Sequence, residues 1–365
     1  MIIKNEQPFL DGCLKSLHGL VDEIVIVDTG STDSSIDIAR AHGARVLDYA
    51  WHDDFAAARN FGLEAAGSEW ILYIDADERL VDATREALRA GLEKPDIFAV
   101  RLLFRVNSNS TLYREYRLFR NDPRLRFKGA MHETILPDLA MLQREAGARV
   151  GDASAKLIHL GYDGEMTAKY RRNLPLLQAS VVRDPHRSYY WKDLADTLAG
   201  LGETDAAIAA AQQGLARAKA PGQVSDVMHS ALIYTQARLQ VQRGEDMRDL
   251  IEVGLKLHPR NWSLLFLRAR ARVNAGALQA AIEDLRLLLA QDADSIVDDT
   301  LAHDRRIFGA HAHDLMGVAL LRMGDRHGAA AAFGRASIAA PEVQEYRVKA
   351  MALSGGAALA GASAV

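Results

Sequence analysis

The 365-residue sequence predicts an α/β domain with a mainly parallel sheet, followed by an all-α domain of helical repeats. Up to about residue 165, short β-branched bursts alternate with helical patterns, as expected of strands buried on both faces. From about residue 186 the β signal vanishes and alanine-rich helical periodicity takes over. These periods divide the chain into an α/β domain (1–165), a connecting helix (166–185), repeats (186–345) and a small-residue tail (346–365).

In chain order, Gly12 to Leu20 reads as a helix in which Leu14 and Leu17 point to burial of Cys13, against a nucleophilic role. Ile24-Val25-Ile26-Val27 is a strand, Ser34 to His42 a helix, and Arg45-Val46-Leu47 a second strand. The helical stretch Phe55 to Ala66 leads into the strand Trp70-Ile71-Leu72-Tyr73-Ile74. A helix is expected over Asp82 to Leu92, then strands at Phe98 to Phe104 and Ala155 to His159. Gly164 to Asp184 reads as the connecting helix, basic at Lys169, Arg171 and Arg172.

Aligned on internal glycines, the helical half repeats. Trp191, Leu194, Ala195, Leu198, Gly202, Ala207, Ile208, Ala211, Gly214, Leu215 and Pro221 fall at the spacings of a tetratricopeptide repeat. His313, Met316, Gly317, Leu320, Gly324, Ala329, Phe333, Ala336 and Pro341 reproduce them. Ala269, Gly276, Ala281, Leu285 and Leu288 fit as well, and Ile251, Gly254, Leu255 and Pro259 fit with two extra residues in the turn. Asp292 to His311 breaks the period. A non-repetitive helical bundle is the alternative. His303, His311 and His313 are expected on solvated helix faces.

Composition excludes several classes. Forty-four basic against 48 acidic residues give a net charge of −4, which argues against a phosphate-tracking nucleic-acid protein. One cysteine permits neither an internal disulfide nor a cysteine zinc site and suits the cytosol. No stretch approaches the ~18 apolar residues of a membrane span, and the first residues are charged too soon for a signal peptide. There is no glycine-rich dinucleotide loop or phosphate-binding loop, and His132-Glu133 lacks a second histidine four residues on.

The strongest chemical signal is Trp70 to Glu78, a hydrophobic strand running into Asp75-Ala76-Asp77. Carboxylates at the carboxyl end of a sheet strand can bridge a divalent cation to a diphosphate; alternatively, they cap the next helix. A second acidic strand end, Asp28-Thr29-Gly30-Ser31-Thr32-Asp33, offers an exposed carboxylate to a base or ribose, or serves only the turn and helix cap. Arg59, on the helix opened by Asp53-Asp54-Phe55, supplies a cation to phosphate or is simply solvated.

These segments resemble glycosyltransferase family 2. The resemblance rests on Ile2 to Glu6, Val27 to Asp33, Trp51 to Asn60 and Asp75 to Glu78. It continues through Arg117 to Asn121, Gly129 to Glu133 and His159 to Tyr162, in that order. They are most similar to the branch containing bacteriocin S-glycosyltransferases and proteins with tetratricopeptide repeats. The resemblance implies a GT-A fold, a UDP-sugar donor, Mn²⁺ or Mg²⁺, and inversion at the anomeric carbon. It implies that Glu6 and Asp28 contact the uridine with Arg59 near it, that Asp75 lies beside ribose and metal, and that Asp77 ligates the metal. His159 then completes the metal shell or is a satisfied core histidine. Inversion needs a base facing the acceptor. Glu133 is the candidate, with His132 orienting it or touching diphosphate; the alternative pairs Glu133 structurally with Arg126 or Lys128. Arg117 and Arg120 hold phosphate or solvate a strand edge.

Family members usually carry several more residues before the first motif, completing the first strand and part of the base pocket. Either the start lies upstream of Met1 or donor binding is weakened. The expected protein is thus a cytoplasmic, metal-dependent hexosyltransferase acting on a peptide, protein or glycan, with repeats that hold a peptide acceptor or a second copy. Its rivals are a repeat scaffold that no longer turns over and a sugar nucleotidyltransferase.

Overall fold

The computed structural model describes residues 1–89, 92, 94–161, 166–217 and 226–354, and the chain divides into two units. Tyr162, Gly164, Pro221 and the tail beyond Ser354 lie outside the described residues. The first unit is 1–183 together with 297–302, and the second is 184–296 together with 303–365. The helix expected as a connector therefore belongs to the first unit. So does part of the segment that breaks the repeat period.

The first unit opens with β1 (Ile2–Ile3), α1 (Gln7–Leu17), β2 (Val25–Asp28), α2 (Ser35–Ala41), β3 (Arg45–Asp48) and α3 (Phe55–Ala65). The three strands form a parallel sheet in the order β1-β2-β3. Leu10, Leu14 and Leu17 of α1 pack with Ile3 and Ile26 in its core. Because the strands are parallel, the loops that follow them emerge at one edge.

Next come β4 (Trp70–Leu72), β5 (Glu78–Val81), α4 (Arg85–Arg89), β6 (Ile97–Arg105) and β7 (Leu112–Arg120). They are followed by α5 (Leu136–Ala146), β8 (Arg149–His159), α6 (Thr167–Arg183) and, far along the chain, β9 (Val297–Asp298). The second sheet runs β4-β7-β6-β8-β5, with β9 pairing β7. Only β6–β8 and β7–β9 are parallel; the other pairs are antiparallel. The sheet is thus more mixed than expected. The connection 106–111 between β6 and β7 is short enough for a hairpin, and a parallel return needs a long crossover. Of the helix expected over Asp82 to Leu92, α4 begins at Arg85, and residues 90, 91 and 93 lie outside the described residues; just ahead of it Glu78–Val81 pairs with β8 as β5.

The second unit carries α7 (Ser188–Gly200), α8 (Thr204–Arg217), α9 (Asp226–Gln242) and α10 (Arg248–Leu257). It continues with α11 (Trp262–Asn274), α12 (Leu278–Leu289), α13 (Ala310–Arg322), α14 (Arg326–Ala339) and α15 (Gln344–Ser354). Gly202, Gly276 and Gly324 turn between helices with φ of 83°, 78° and 85°, which side-chain-bearing residues rarely adopt. Gly214, Gly254 and Gly317 sit where helices cross; a Cβ on Gly317 would lie 2.6 Å from the Phe333 ring. The tail expected from residue 346 is helical through Ser354. His303 is also corrected: it is buried, with Nδ1 3.0 Å from Ser263 Oγ. Burial pushes the imidazole pKa of His311 and His313 down. No described helix is long and apolar enough to cross a membrane.

Candidate active site

The loops after β1 and β2 are stitched together. Asn5 Oδ1 accepts from the Thr32 amide (2.7 Å), Asp33 Oδ2 from the Gln7 amide (3.1 Å), and Ser35 Oγ from the Glu6 amide (2.8 Å). Asn5 reaches this geometry with φ of 58°. Asp28, expected to be exposed, is buried and accepts from the amides of Gly30 and Ser31, both 3.1 Å from Oδ2. A carboxylate closing a strand against two turn amides gains more from them than from solvent. Glu6, at the start of α1, is half-buried, and its carboxyl is pushed up to about 7 by burial, then by Asp77 and Asp75.

Asp75 and Asp77 flank Ala76, whose side chain is buried in the core. They do not cap a helix, since β5 follows at once. Beneath them Glu78 and Arg117 form a buried pair, with Arg117 Nη2 to Glu78 Oε1 2.8 Å and Nη1 to Oε2 3.1 Å. Glu78 Oε2 also accepts from the Asp75 amide at 2.9 Å, which ties the turn to the pair. Arg117 therefore serves neither phosphate nor a solvated edge. Arg120 binds Glu69 (2.6 Å) and the Ile97 carbonyl (2.8 Å) instead of phosphate. Cys13 is buried as expected and donates to the Asp75 carbonyl at 3.4 Å, with its thiol pushed up to about 12 by burial.

Asp77 meets His159. The register of β5 on β8 pairs Glu78 with His159, and the Leu160 amide donates to the Asp77 carbonyl at 2.8 Å. This brings Asp77 Oδ2 to 3.3 Å from His159 Nε2. Two donors at right angles on an ion bound at about 2.1 Å stand about 3 Å apart, so this oxygen–nitrogen edge fits Mn²⁺ or Mg²⁺. Gly161 makes room for it, since a Cβ there would overlap Asp77 Oδ2 and lie 3.1 Å from His159 Cε1. Among the described residues no three acidic, histidine or cysteine side chains are grouped so that they could hold a metal ion by themselves. The remaining positions suit phosphate oxygens and water. Burial, then Asp75, pushes the Asp77 carboxyl up.

Arg59 is not a solvated helix residue. Its guanidinium lies over the rings of Tyr73 (5.1 Å) and Phe127 (5.6 Å). Nη2 donates to Asp75 Oδ1 at 2.9 Å, and Nε donates to Glu133 Oε1. Burial opposes the charge on Asp75, but Arg59 and then Arg117 outweigh it and hold the carboxyl at about 2. The neighbouring Asn60 clamps the Phe127 backbone on both sides, 3.0 Å to its carbonyl and 2.9 Å from its amide. Beyond Phe127, Lys128 and Thr134 exchange backbone hydrogen bonds of 2.9 and 3.1 Å, closing the loop that presents His132 and Glu133. His132 has φ of 50°. The alternative partners of Glu133 are otherwise engaged: Lys128 pairs with Asp138, and Arg126 caps the carbonyls of Asp122 and Leu125.

Residues 1–148 match the family model of glycosyl transferase family 2. They form a family 2 glycosyltransferase domain. A TPR repeat-containing protein of Synechococcus elongatus is 34% identical over 254 residues, 67% of this chain and 62% of its own length. The SPbeta prophage-derived glycosyltransferase SunS of Bacillus subtilis is 27% identical over 194 residues, 51% of this chain and 45% of its own. The chain thus spans less than two thirds of the length of these curated relatives. Among solved structures, glucosyl-3-phosphoglycerate synthase from Mycobacterium tuberculosis, with Mn²⁺, UDP and its product, aligns at a TM-score of 0.37. It shares 15% identity over 50% of this chain and 77% of that one.

Around the family 2 domain's acidic rim, α6 adds cations that sequence reasoning noted only as basic. Among opposing charges Asp77 acts most strongly on Lys169, and Arg172 acts on Glu6. Their spacing of three on one helix face was the signal available. Nothing local marks Glu78 and Arg117 as partners, because 39 residues separate them.

Proposed function

We propose that this protein is a metal-dependent, inverting glycosyltransferase that moves a hexose from a UDP-sugar to a peptide, protein or glycan. The observation that carries the reading is the Asp77–His159 donor edge beside Asp75 at the rim of a family 2 domain. Asp77 and His159 would hold Mn²⁺ or Mg²⁺, with Asp75 beside the ribose. The bound ion would neutralise charge on the leaving diphosphate.

The chain's own groups do the rest. Glu6 and the turn locked by Asp28 receive the nucleoside. Lys169 and Arg172 place positive charge toward the diphosphate. Glu133 takes the acceptor's proton as the new glycosidic bond forms and the anomeric carbon–oxygen bond to diphosphate breaks, with His132 beside it on the same loop. The helical unit presents the acceptor or joins a second copy, and the work is done in the cytosol.

The test is UDP release from a panel of UDP-hexoses, with and without peptide pools, in Mn²⁺ and in chelator. Metal-dependent release that disappears in Asp77→Asn supports the reading. Release indifferent to chelator, or none across the panel, contradicts it.

A further inference from the structure

Arg59 holds two carboxylates with one guanidinium, and neither is its neighbour in sequence. Its side chain is 10% exposed and that of Glu133 11%. Nη2 serves Asp75 while Nε serves Glu133, so two different nitrogens of the one planar group are used. The rings of Tyr73 and Phe127 stand within 5.1 and 5.6 Å and confine the plane. Asp54 caps α3 through the Ala57 amide at 2.9 Å, and Asn60 fixes the Phe127 backbone, so both ends of the clamp are anchored. A rigid fork packed against both rings cannot follow one carboxylate without shifting against the other.

From this geometry we infer that Arg59 is a positioning residue that couples the metal-side carboxylate Asp75 to the base Glu133. The inference rests on the proposed roles of those two carboxylates. It goes beyond them by making the clamp set the separation between base and metal edge. That separation decides whether an acceptor held by Glu133 lines up with the bond to diphosphate, so its loss lowers turnover more than donor binding. Coupling is reciprocal. A cation drawing on Asp75 loosens Nη2, and loss of charge at Glu133 lets Arg59 settle on Asp75 and resist the cation.

The experiment measures Mn²⁺ affinity calorimetrically, with kcat and donor KM, for wild type, Glu133→Gln, Arg59→Lys and the double variant. Lysine keeps the charge opposite Asp75 and Glu133 and loses the fork; thermal melts confirm folding of each variant. Glu133→Gln is expected to weaken Mn²⁺ binding about three- to tenfold when Arg59 is present and less than about twofold in Arg59→Lys. Arg59→Lys lowers kcat at least about tenfold, with donor KM changed less than about twofold. An equal Mn²⁺ factor in both backgrounds, or none, overturns the coupling alone. A wild-type protein that binds no Mn²⁺ overturns both the coupling and the metal reading beneath it.

Discussion

Glu78 and Arg117 form a bidentate ion pair with almost no exposed side-chain surface, directly under the backbone of Asp75. Breaking such a pair from one side leaves the other charge buried and uncompensated, at a cost of about 3–5 kcal/mol. Arg117→Met is therefore expected to lower unfolding free energy by about that amount in urea titration. Glu78→Gln keeps the shape and one acceptor for the Asp75 amide. It still leaves Arg117 buried without its countercharge, so a loss of similar size is expected, and wild-type stability in Glu78→Gln would contradict the arrangement.

Gly161 makes a sharper separation of stability from function. A Cβ there meets the end of the Asp77 side chain, not a backbone. Gly161→Ala should push Asp77 off His159 and weaken Mn²⁺ binding by at least about tenfold, while melting within a few degrees of wild type. Unchanged Mn²⁺ affinity would remove the Asp77–His159 edge from the metal proposal.

Glu6 gives the acidic rim a pH signature. Its carboxyl is pushed up from 4.5 to about 7, first by burial and then by Asp77 and Asp75. Between those values the folded chain keeps a proton that the unfolded chain has released, so this contribution to stability falls as pH rises from about 4.5 through 7. In chelator, wild type should lose more stability than Glu6→Gln between pH 5 and pH 8. Parallel melting curves for the two proteins would contradict the burial of Glu6 among carboxylates.

In the helical unit, Gly317 and Gly334 form a matched pair. Gly317→Ala drives a Cβ toward the Phe333 ring, 2.6 to 2.8 Å away, and should destabilise by about 1–3 kcal/mol. A Cβ at Gly334, in α14, meets nothing within 4 Å. Gly334→Ala should stabilise by about 0.5–1 kcal/mol through helix propensity alone. Chemical denaturation of both variants checks the helix crossing; a stabilising Gly317→Ala would refute it.

What could be read ahead of the structure followed local physics. Trp70 to Asp77 was legible because an apolar run ending in two acids is a local pattern, and the repeats because glycines recur at helix turns and crossings. Strand β5 was not, since Glu-Arg-Leu-Val gains strand geometry only from pairing with β8 far along the chain. The burial of Asp28 depends on amides offered by the turn that follows it, and that of His303, in the segment before residue 305, goes with Ser263 on α11. Arg59 reads as a surface cation until Asp75, Glu133 and two aromatic rings are folded around it.

The most direct test of the central claim is equilibrium binding of UDP to wild type and Asp77→Asn, by calorimetry with Mn²⁺ and with chelator. If Asp77 and His159 form the protein's edge of a cation–diphosphate site, wild type binds UDP at least about tenfold more tightly with Mn²⁺, and Asp77→Asn abolishes that gain. Equal UDP affinity with and without the ion, or a Mn²⁺ gain that survives Asp77→Asn, would contradict it.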